Sequence, residues 1–247
     1  MFIWKDKPNR EVYKSAAWRS IDPVDRAHII LVVEGLKPMA YCDSSDVESI
    51  KDYLSSELKI FFTEARGLRK YWRINPGLVL PSKVYTVCAN KKILNTVLDL
   101  NDSAFWNHDL FGKLLGYPEC CRKEYSNPTY EEKFNGGILK FFEPPYAHKA
   151  FTFEIEYVQK LLEEKKIPEE FLYLMPSQTP CSIDCKKSRK LLSKWKHILE
   201  KYDPRAAKAL REFNEENCDK EYKELAKKLK KKGIKPEMFR KGYIFTS

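Results

Sequence analysis

The pattern of apolar and polar positions separates a first part with mixed helix and strand signals from a longer helical part. Residues 28–33 are apolar without interruption, which predicts a buried strand, and residues 39–42, 78–80 and 84–88 predict three more. Between them, residues 47–61 carry apolar positions at spacings of three and four. That spacing is typical of an amphipathic helix.

Beyond residue 100 the periodicity is helical almost throughout. Residues 186–202 carry one continuous apolar stripe, and the stripe of the next helical stretch shifts phase at residues 214–219. We therefore predict an α+β fold. A small N-terminal α/β domain over residues 1–100 precedes a mainly helical domain over residues 101–247, which carries the cysteine motifs and basic C-terminal helices.

Charge is concentrated in the last quarter of the chain. Residues 186–247 hold 20 Lys and Arg against 9 Asp and Glu, whereas residues 1–185 hold 25 against 26. A nearly neutral body with a basic end favours binding to a polyanion, because each phosphate contact releases condensed counterions. A solvated lysine-rich surface is the alternative. The residues predicted to contact RNA here are Lys186, Lys187, Arg189, Lys190, Lys227, Lys228, Lys230, Lys231 and Lys232.

A second basic segment interleaves cations with aromatic rings. It consists of Arg69, Lys70, Tyr71, Trp72 and Arg73. Such rings can stack on unpaired bases while the cations meet phosphates. Alternatively, the two rings pack in the core while the charges face water. Two basic regions favour a structured RNA over a short single strand as the partner.

Four of the seven cysteines fall in two short motifs. Cys120 and Cys121 end the sequence GYPECC, and Cys181 and Cys185 lie in PCSIDC. Each motif follows a proline and opens a predicted helix, where the helix dipole favours the thiolate form. Cys181 and Cys185 are four apart and are expected to share a face. The first pair diverges by about 100° on a helix, so only one of the two is expected to reach a shared site.

Three interpretations of these motifs compete. One is a zinc ion or an iron–sulfur cluster on Cys120 or Cys121 with Cys181 and Cys185, completed by His148 or Cys218. The second is a disulfide between the two helix starts, and the third is a set of reduced, half-buried thiols. The other cysteines, Cys42, Cys88 and Cys218, are expected to pack in the core.

The two cysteine motifs resemble those of a mainly archaeal family catalogued as a domain of unknown function, number 483. Residues 114–121 (LLGYPECC) and 180–185 (PCSIDC) carry the resemblance, which covers roughly residues 80–200. It implies an archaeal, cytosolic setting and brings no established chemistry. The size and the basic end are also similar to archaeal factors that bind the small ribosomal subunit and hold ribosomes inactive.

Other sequence signals narrow the function classes. The sequence has no P-loop, no G-x-G-x-x-G and no H-E-x-x-H, and its four histidines are scattered. The first residues lack a signal-peptide pattern, and no apolar run approaches the ~20 residues of a membrane helix, so we expect a cytoplasmic protein without a membrane partner. The two glutamines, few for this length, favour a thermophilic source.

These observations lead to one function hypothesis and one alternative. The hypothesis is a non-catalytic accessory factor that binds structured RNA. The archaeal small ribosomal subunit is the expected target, and translation would be modulated or silenced by blocked subunit association or by dimerisation. Homodimerisation is suggested by the aromatic residues Phe239, Tyr243 and Phe245. The alternative is an enzyme that uses a cysteine-ligated zinc ion or iron–sulfur cluster on RNA, as in transfer-RNA modification. No catalytic residue is predicted.

Overall fold

The computed structural model describes residues 7–42, 45–65, 84–102, 108–125, 168–175 and 180–219, with single residues 160, 227 and 231. Within these residues the fold is α+β and mainly helical, which confirms the predicted class. Eight α-helices lie there: α1 (Ala16–Arg19), α2 (Pro23–Val33), α3 (Ser45–Leu58), α4 (Lys91–Asp102), α5 (His108–Leu114), α6 (Glu119–Tyr125), α7 (Lys186–Tyr202) and α8 (Pro204–Phe213). Two 3-10 helices (Arg10–Lys14 and Glu169–Tyr173) and a π-helix (Asn214–Asp219) complete the helical segments of this part of the chain.

A three-stranded antiparallel sheet lies in the first half of the chain. Its strands are β1 (Met39–Cys42), β2 (Phe61–Glu64) and β3 (Tyr85–Cys88), in the order β1-β3-β2. All four residues of the central strand β3 are buried, and its Cys88 lies opposite both Met39 and Phe61. The predicted strands at 39–42 and 84–88 are thus confirmed, while residues 78–80 lie outside the described residues.

The apolar run at residues 28–33 belongs to helix α2, so the predicted first strand is wrong. Asp22 caps this helix by accepting the Val24 N–H at 2.8 Å, and Pro23 occupies the first turn, where its missing N–H costs nothing. The residues from Ile29 onward are almost completely buried. This part of the helix is surrounded by core and has no polar face, so its sequence is as uniformly apolar as that of a buried strand.

Strand β2 was not predicted, because Phe61 also fits the apolar spacing of the helix before it. Helix α3 ends at Leu58, where the next residue, Lys59, takes a left-handed conformation with φ of 57°. Such a residue commonly terminates a helix, although glycine is the usual choice. The chain then enters β2, which pairs with β3.

Two other helices have, at their ends, residues of the types that commonly cap helices. The Asn90 side chain accepts the Ile93 N–H at 3.0 Å and so caps α4. Gly116, with φ of 81°, follows α5, and a Cβ there would lie 3.4 Å from the Leu36 carbonyl oxygen. The predicted phase shift at 214–219 is confirmed as a π-helix, which inserts an extra residue into the helical turn.

The chain forms two compact units. The first comprises Met1–Tyr117 and Lys194–Leu210 and contains the sheet. The second comprises Pro118–Ser193 and Arg211–Ser247 and contains α6. In the first unit Cys42 and Cys88 are fully buried, as expected for core cysteines. The side chain of Cys218 lies outside the described residues.

Lys37 is an unusual member of the first unit's core. It is fully buried, and its Nζ has no hydrogen-bond partner among the described residues. The Nζ lies 5.2 Å from the centre of the Trp195 ring, a cation–π distance. Burial, opposed in part by Cys42, lowers the pKa of Lys37 to about 7. Burial and the nearby Lys37 also lower the pKa of His28 to about 3.

The substitution Lys37→Met is expected to raise the free energy of unfolding by about 2–3 kcal/mol at pH 7. The unfolded chain binds this proton up to pH values near 10.5, whereas the folded chain releases it near 7. The free energy of unfolding of the wild type therefore rises with pH between these values. The stability advantage of the Lys37→Met variant over the wild type should shrink accordingly from pH 7 to pH 10. Denaturation curves at pH 7, 8.5 and 10 measure this difference.

The exposed lysine Lys113 on α5 provides the control. Lys113→Met should change stability by less than about 0.5 kcal/mol at every pH. A Lys37→Met protein that is less stable than the wild type, or a stability advantage that does not vary with pH, would contradict the conclusion that the buried Lys37 amino group destabilises the fold.

Candidate metal centre and basic helix

Four cysteine thiols from two distant segments converge in the second unit. Cys120 and Cys121 lie in the first turn of α6, and Cys181 and Cys185 lie in the segment that leads into α7. All four Sγ atoms lie within 4.8 Å of one another. Cys121 is buried, while the other three are half-buried. The cluster can therefore hold a metal ion close to the protein surface.

The spacing of the sulfur atoms matches the coordination shell of one ion. Cys120 Sγ lies 3.6 Å from Cys185 Sγ, and Cys121 Sγ lies 4.0 Å from each of them. A tetrahedron with metal–sulfur bonds of about 2.3 Å has sulfur–sulfur edges of about 3.8 Å. Disulfide bonding requires about 2.05 Å, and the four thiols are free in this structure.

Both cysteines of the adjacent pair reach the cluster, which corrects the expectation that only one would. A cysteine side chain can adopt three rotamers, so a 100° offset between adjacent Cα–Cβ directions does not keep the two sulfurs apart. The expectation that Cys181 and Cys185 share a helical face is also wrong. α7 begins at Lys186, so the two thiols are brought together by the turn before the helix. His148 lies outside the described residues.

Hydrogen bonds to sulfur favour the thiolate form at Cys185. Its burial raises the pKa, but hydrogen bonds from the Ser188 hydroxyl and backbone, with those from Cys181 and Cys120, lower it to about 7. Burial raises the pKa of Cys121 to about 11, although the Ser188 hydroxyl at 3.1 Å and the Cys181 N–H at 3.4 Å oppose this rise. Burial and Cys121 likewise raise the pKa of Cys181.

One feature of this centre was not recognised in the sequence. Ser188 is fully buried and contacts the cluster, and its only signal is a spacing of three residues from Cys185. The neighbouring carboxylate Glu119 forms an ion pair with Lys123 at 3.0 Å. The hydrogen bond from Lys123 lowers the pKa of Glu119, so this group is held as an anion at the surface.

Three of the four predicted basic residues on helix α7 lie at the surface. Lys186, Lys187 and Lys190 are exposed, whereas Arg189 is half-buried and forms an ion pair with Glu170. Lys227 and Lys231 are exposed helical residues. The remaining predicted RNA contacts lie outside the described residues: Lys228, Lys230, Lys232, Arg69, Lys70, Tyr71, Trp72 and Arg73.

The exposed side of α7 carries more lysines than the sequence prediction included. Trp195 and the apolar residues Leu192 and Leu199 are fully buried, as the apolar stripe predicted. On the opposite side, Lys186, Lys190, Lys194 and Lys201 succeed one another at spacings of four, four and seven, and all four are exposed. We call these four residues the lysine face. None of the described helices is long and apolar enough to cross a membrane.

Fold and site together define an α+β protein with a four-cysteine cluster beside a basic helix. A family model described as "Protein of unknown function (DUF483)" matches residues 73–213, more than half of the chain. The chain belongs to this family, which confirms the resemblance expected from the cysteine motifs. Both cysteine pairs and all of α7 fall within the matched residues. The comparisons with curated proteins and with solved structures returned no match.

Proposed function

We propose that the protein is a non-catalytic factor that binds structured RNA through the lysine face of α7. We also propose that its four cysteines hold one structural zinc ion. The small ribosomal subunit is the first target to test, with the modulation of translation as the biological outcome. The observation that carries this proposal is the lysine face, which lies directly opposite the buried stripe of the same helix.

The spacing of the exposed lysines along α7 suits contacts with a phosphate backbone. Lys186 and Lys201 are 15 residues apart, which corresponds to about 22 Å along a helix axis. Four exposed lysines over that length can meet several phosphates of one strand or of a groove. Residues 186–213 hold ten Lys and Arg against three Asp and Glu, so few acids in this region oppose such contacts.

The donor set of the cluster favours one zinc ion over an iron–sulfur cluster. Several irons and sulfides lie between the cysteines of such a cluster and hold the thiolates further apart than in a mononuclear site. The sulfurs here lie within 4.8 Å, which suits a single soft divalent ion. Four protein ligands leave no open position for a substrate or water, as in structural zinc sites. This favours a structural role over the alternative of an RNA-modifying enzyme.

Neutralising part of the lysine face is expected to flatten the salt dependence of RNA binding. The triple variant Lys190→Gln, Lys194→Gln and Lys201→Gln removes three phosphate contacts without touching the turn that follows Cys185. The slope of log affinity against log salt should become shallower by about 2–3. Fluorescence anisotropy with a labelled, structured ribosomal RNA fragment between 50 and 300 mM salt measures it.

A matched control variant removes three positive charges from positions outside the lysine face. Lys7, Lys14 and Lys113 are exposed lysines outside α7, and changing all three to Gln should leave the slope within about 0.5 of wild type. Equal slopes for the two triple variants would exclude the lysine face as the RNA contact. Partners recovered from cell extract that persist after nuclease treatment would favour an acidic protein instead of RNA.

A further inference from the structure

The four-cysteine cluster lies at the start of the helix that carries the lysine face. Cys185 directly precedes α7, and its carbonyl accepts the Arg189 N–H at 3.0 Å. The backbone N–H of Ser188 donates to the sulfur of Cys185. The thiol therefore occupies the position of an N-cap group, which satisfies an amide that the first helical turn leaves unpaired. Any interaction that fixes the position of Cys185 therefore also stabilises the first turn of α7.

Ser188 links the same turn to a second cysteine. It is fully buried, and its hydroxyl lies 3.1 Å from the Sγ of Cys121 on α6. A metal-bound thiolate accepts hydrogen bonds, so in the loaded site the single hydroxyl proton would be donated to Cys121 or shared between Cys121 and Cys185. Ser188 is therefore a positioning residue between the metal centre and α7.

The inference rests on the proposed function: we propose that metal occupancy of the four-cysteine centre controls the affinity of α7 for RNA. A bound ion ties Cys181 and Cys185 to the two cysteines of α6. Without it, no coordinate bonds join the four thiols, and only weak thiol contacts hold Cys185 in its capping position on the first turn of α7. Lys186, Lys187 and Lys190 lie in or next to that turn, so their positions depend on the ion.

The net charge of the loaded site, taken alone, would weaken RNA binding. A divalent ion with four thiolates carries a net charge of −2, which repels phosphate near the first lysines. These lysines are exposed, and charges at the surface are screened over about 10 Å at 0.1 M salt. The loss of an ordered helix start affects several phosphate contacts at once. We therefore expect the ordering effect to exceed the repulsion, so that metal strengthens RNA binding.

The coupling is reciprocal. If the ion raises the affinity for RNA by a given factor, RNA must raise the affinity for the ion by the same factor. We expect a factor of about 10, within the usual range for coupling between two sites.

The test compares the full chain loaded with one Zn²⁺ and the same chain after chelation under reducing conditions. RNA affinity is measured with the labelled ribosomal RNA fragment at 0.1 M salt. The apo protein should bind about tenfold more weakly, and added Zn²⁺ should restore the affinity. Hydrogen exchange at residues 186–190 provides a readout without RNA: these amides should exchange faster in the apo protein.

A variant separates positioning from folding. Ser188→Ala should retain one zinc per chain and its circular dichroism spectrum, while the ratio of loaded to apo affinity falls by about threefold. The exposed Ser193 on the same helix gives the control, because Ser193→Ala should leave that ratio unchanged.

The failures of the two proposals are distinguishable. Equal RNA affinity with and without zinc, or tighter binding by the apo protein, would overturn the coupling and leave RNA binding in place. If neither form binds RNA at low salt, both the proposed function and the coupling are wrong.

Discussion

Replacing Cys121 by serine is expected to abolish metal binding and to lower the free energy of unfolding by about 4 kcal/mol or more. Cys121 is the most buried member of the cluster, with 1% exposure, and its sulfur lies 4.0 Å from Cys120 and from Cys185. A serine hydroxyl stays protonated at neutral pH and does not replace a thiolate ligand. Since the free energy of metal binding is available only to the folded chain, its loss appears as lost stability.

Metal content per chain and denaturation curves with and without chelator test this prediction. Cys88→Ala provides the matched control, because Cys88 is equally buried but packs in the apolar core of the first unit. It should lose about 1–2 kcal/mol and still bind one metal ion per chain. A Cys121→Ser protein that retains its metal, or a wild-type protein that neither contains nor takes up zinc, would refute the structural metal site. An ion with an open coordination position would instead favour the enzyme alternative.

The second large effect is expected at Asp203, where Asp203→Ala should cost about 3–5 kcal/mol. This carboxylate is buried, accepts the Trp18 Nε1–H at 2.9 Å and pairs with Arg26 at 3.4 Å. It also caps α8 by accepting the Ala206 N–H at 3.0 Å. The alanine variant would leave a buried guanidinium and a buried indole N–H without their acceptor, and unsatisfied buried groups carry their full desolvation cost.

Chemical denaturation of two further variants separates these contributions. Asp203→Asn keeps an oxygen acceptor and should be less damaging than Asp203→Ala, because only the charge opposite Arg26 is lost. Asp99→Ala removes an exposed carboxylate on α4 and should change stability by less than about 0.5 kcal/mol. An Asp203→Ala protein within 1 kcal/mol of wild type would show that the three contacts contribute little.

The parts of the fold that sequence predicts are those with one buried side. Helix α7 has its apolar residues at spacings of three and four, so the spacing of Leu192, Trp195 and Leu199 is enough to identify the buried stripe. Helix α2 is buried on all sides from Ile29 onward, and residues 29–33 therefore contain no polar position that distinguishes a helix from a strand. Strand β2 was hidden because the left-handed turn at Lys59, a residue that does not favour that conformation, leaves no sequence signal.

The four-cysteine centre could also be predicted only in part from the sequence. Two short cysteine motifs with adjacent prolines indicated a shared centre, and the structure brings all four thiols together. The participation of both Cys120 and Cys121 depends on side-chain rotamers, which spacing along a helix does not determine. The contact of Ser188 with Cys121 joins residues 67 positions apart and arises only from tertiary packing. The lysine face could have been identified in full from the sequence, because the apolar stripe of α7 already indicates which side of the helix is exposed.

The most direct test of RNA binding by this protein is the affinity of the zinc-loaded wild-type chain for the ribosomal RNA fragment as salt is varied. We predict clear binding at 50 mM salt and a log–log slope of about −3 or steeper, as expected for contacts with several phosphates. Failure to bind at 50 mM salt, or an affinity that does not change with salt, would contradict the proposed role of the lysine face.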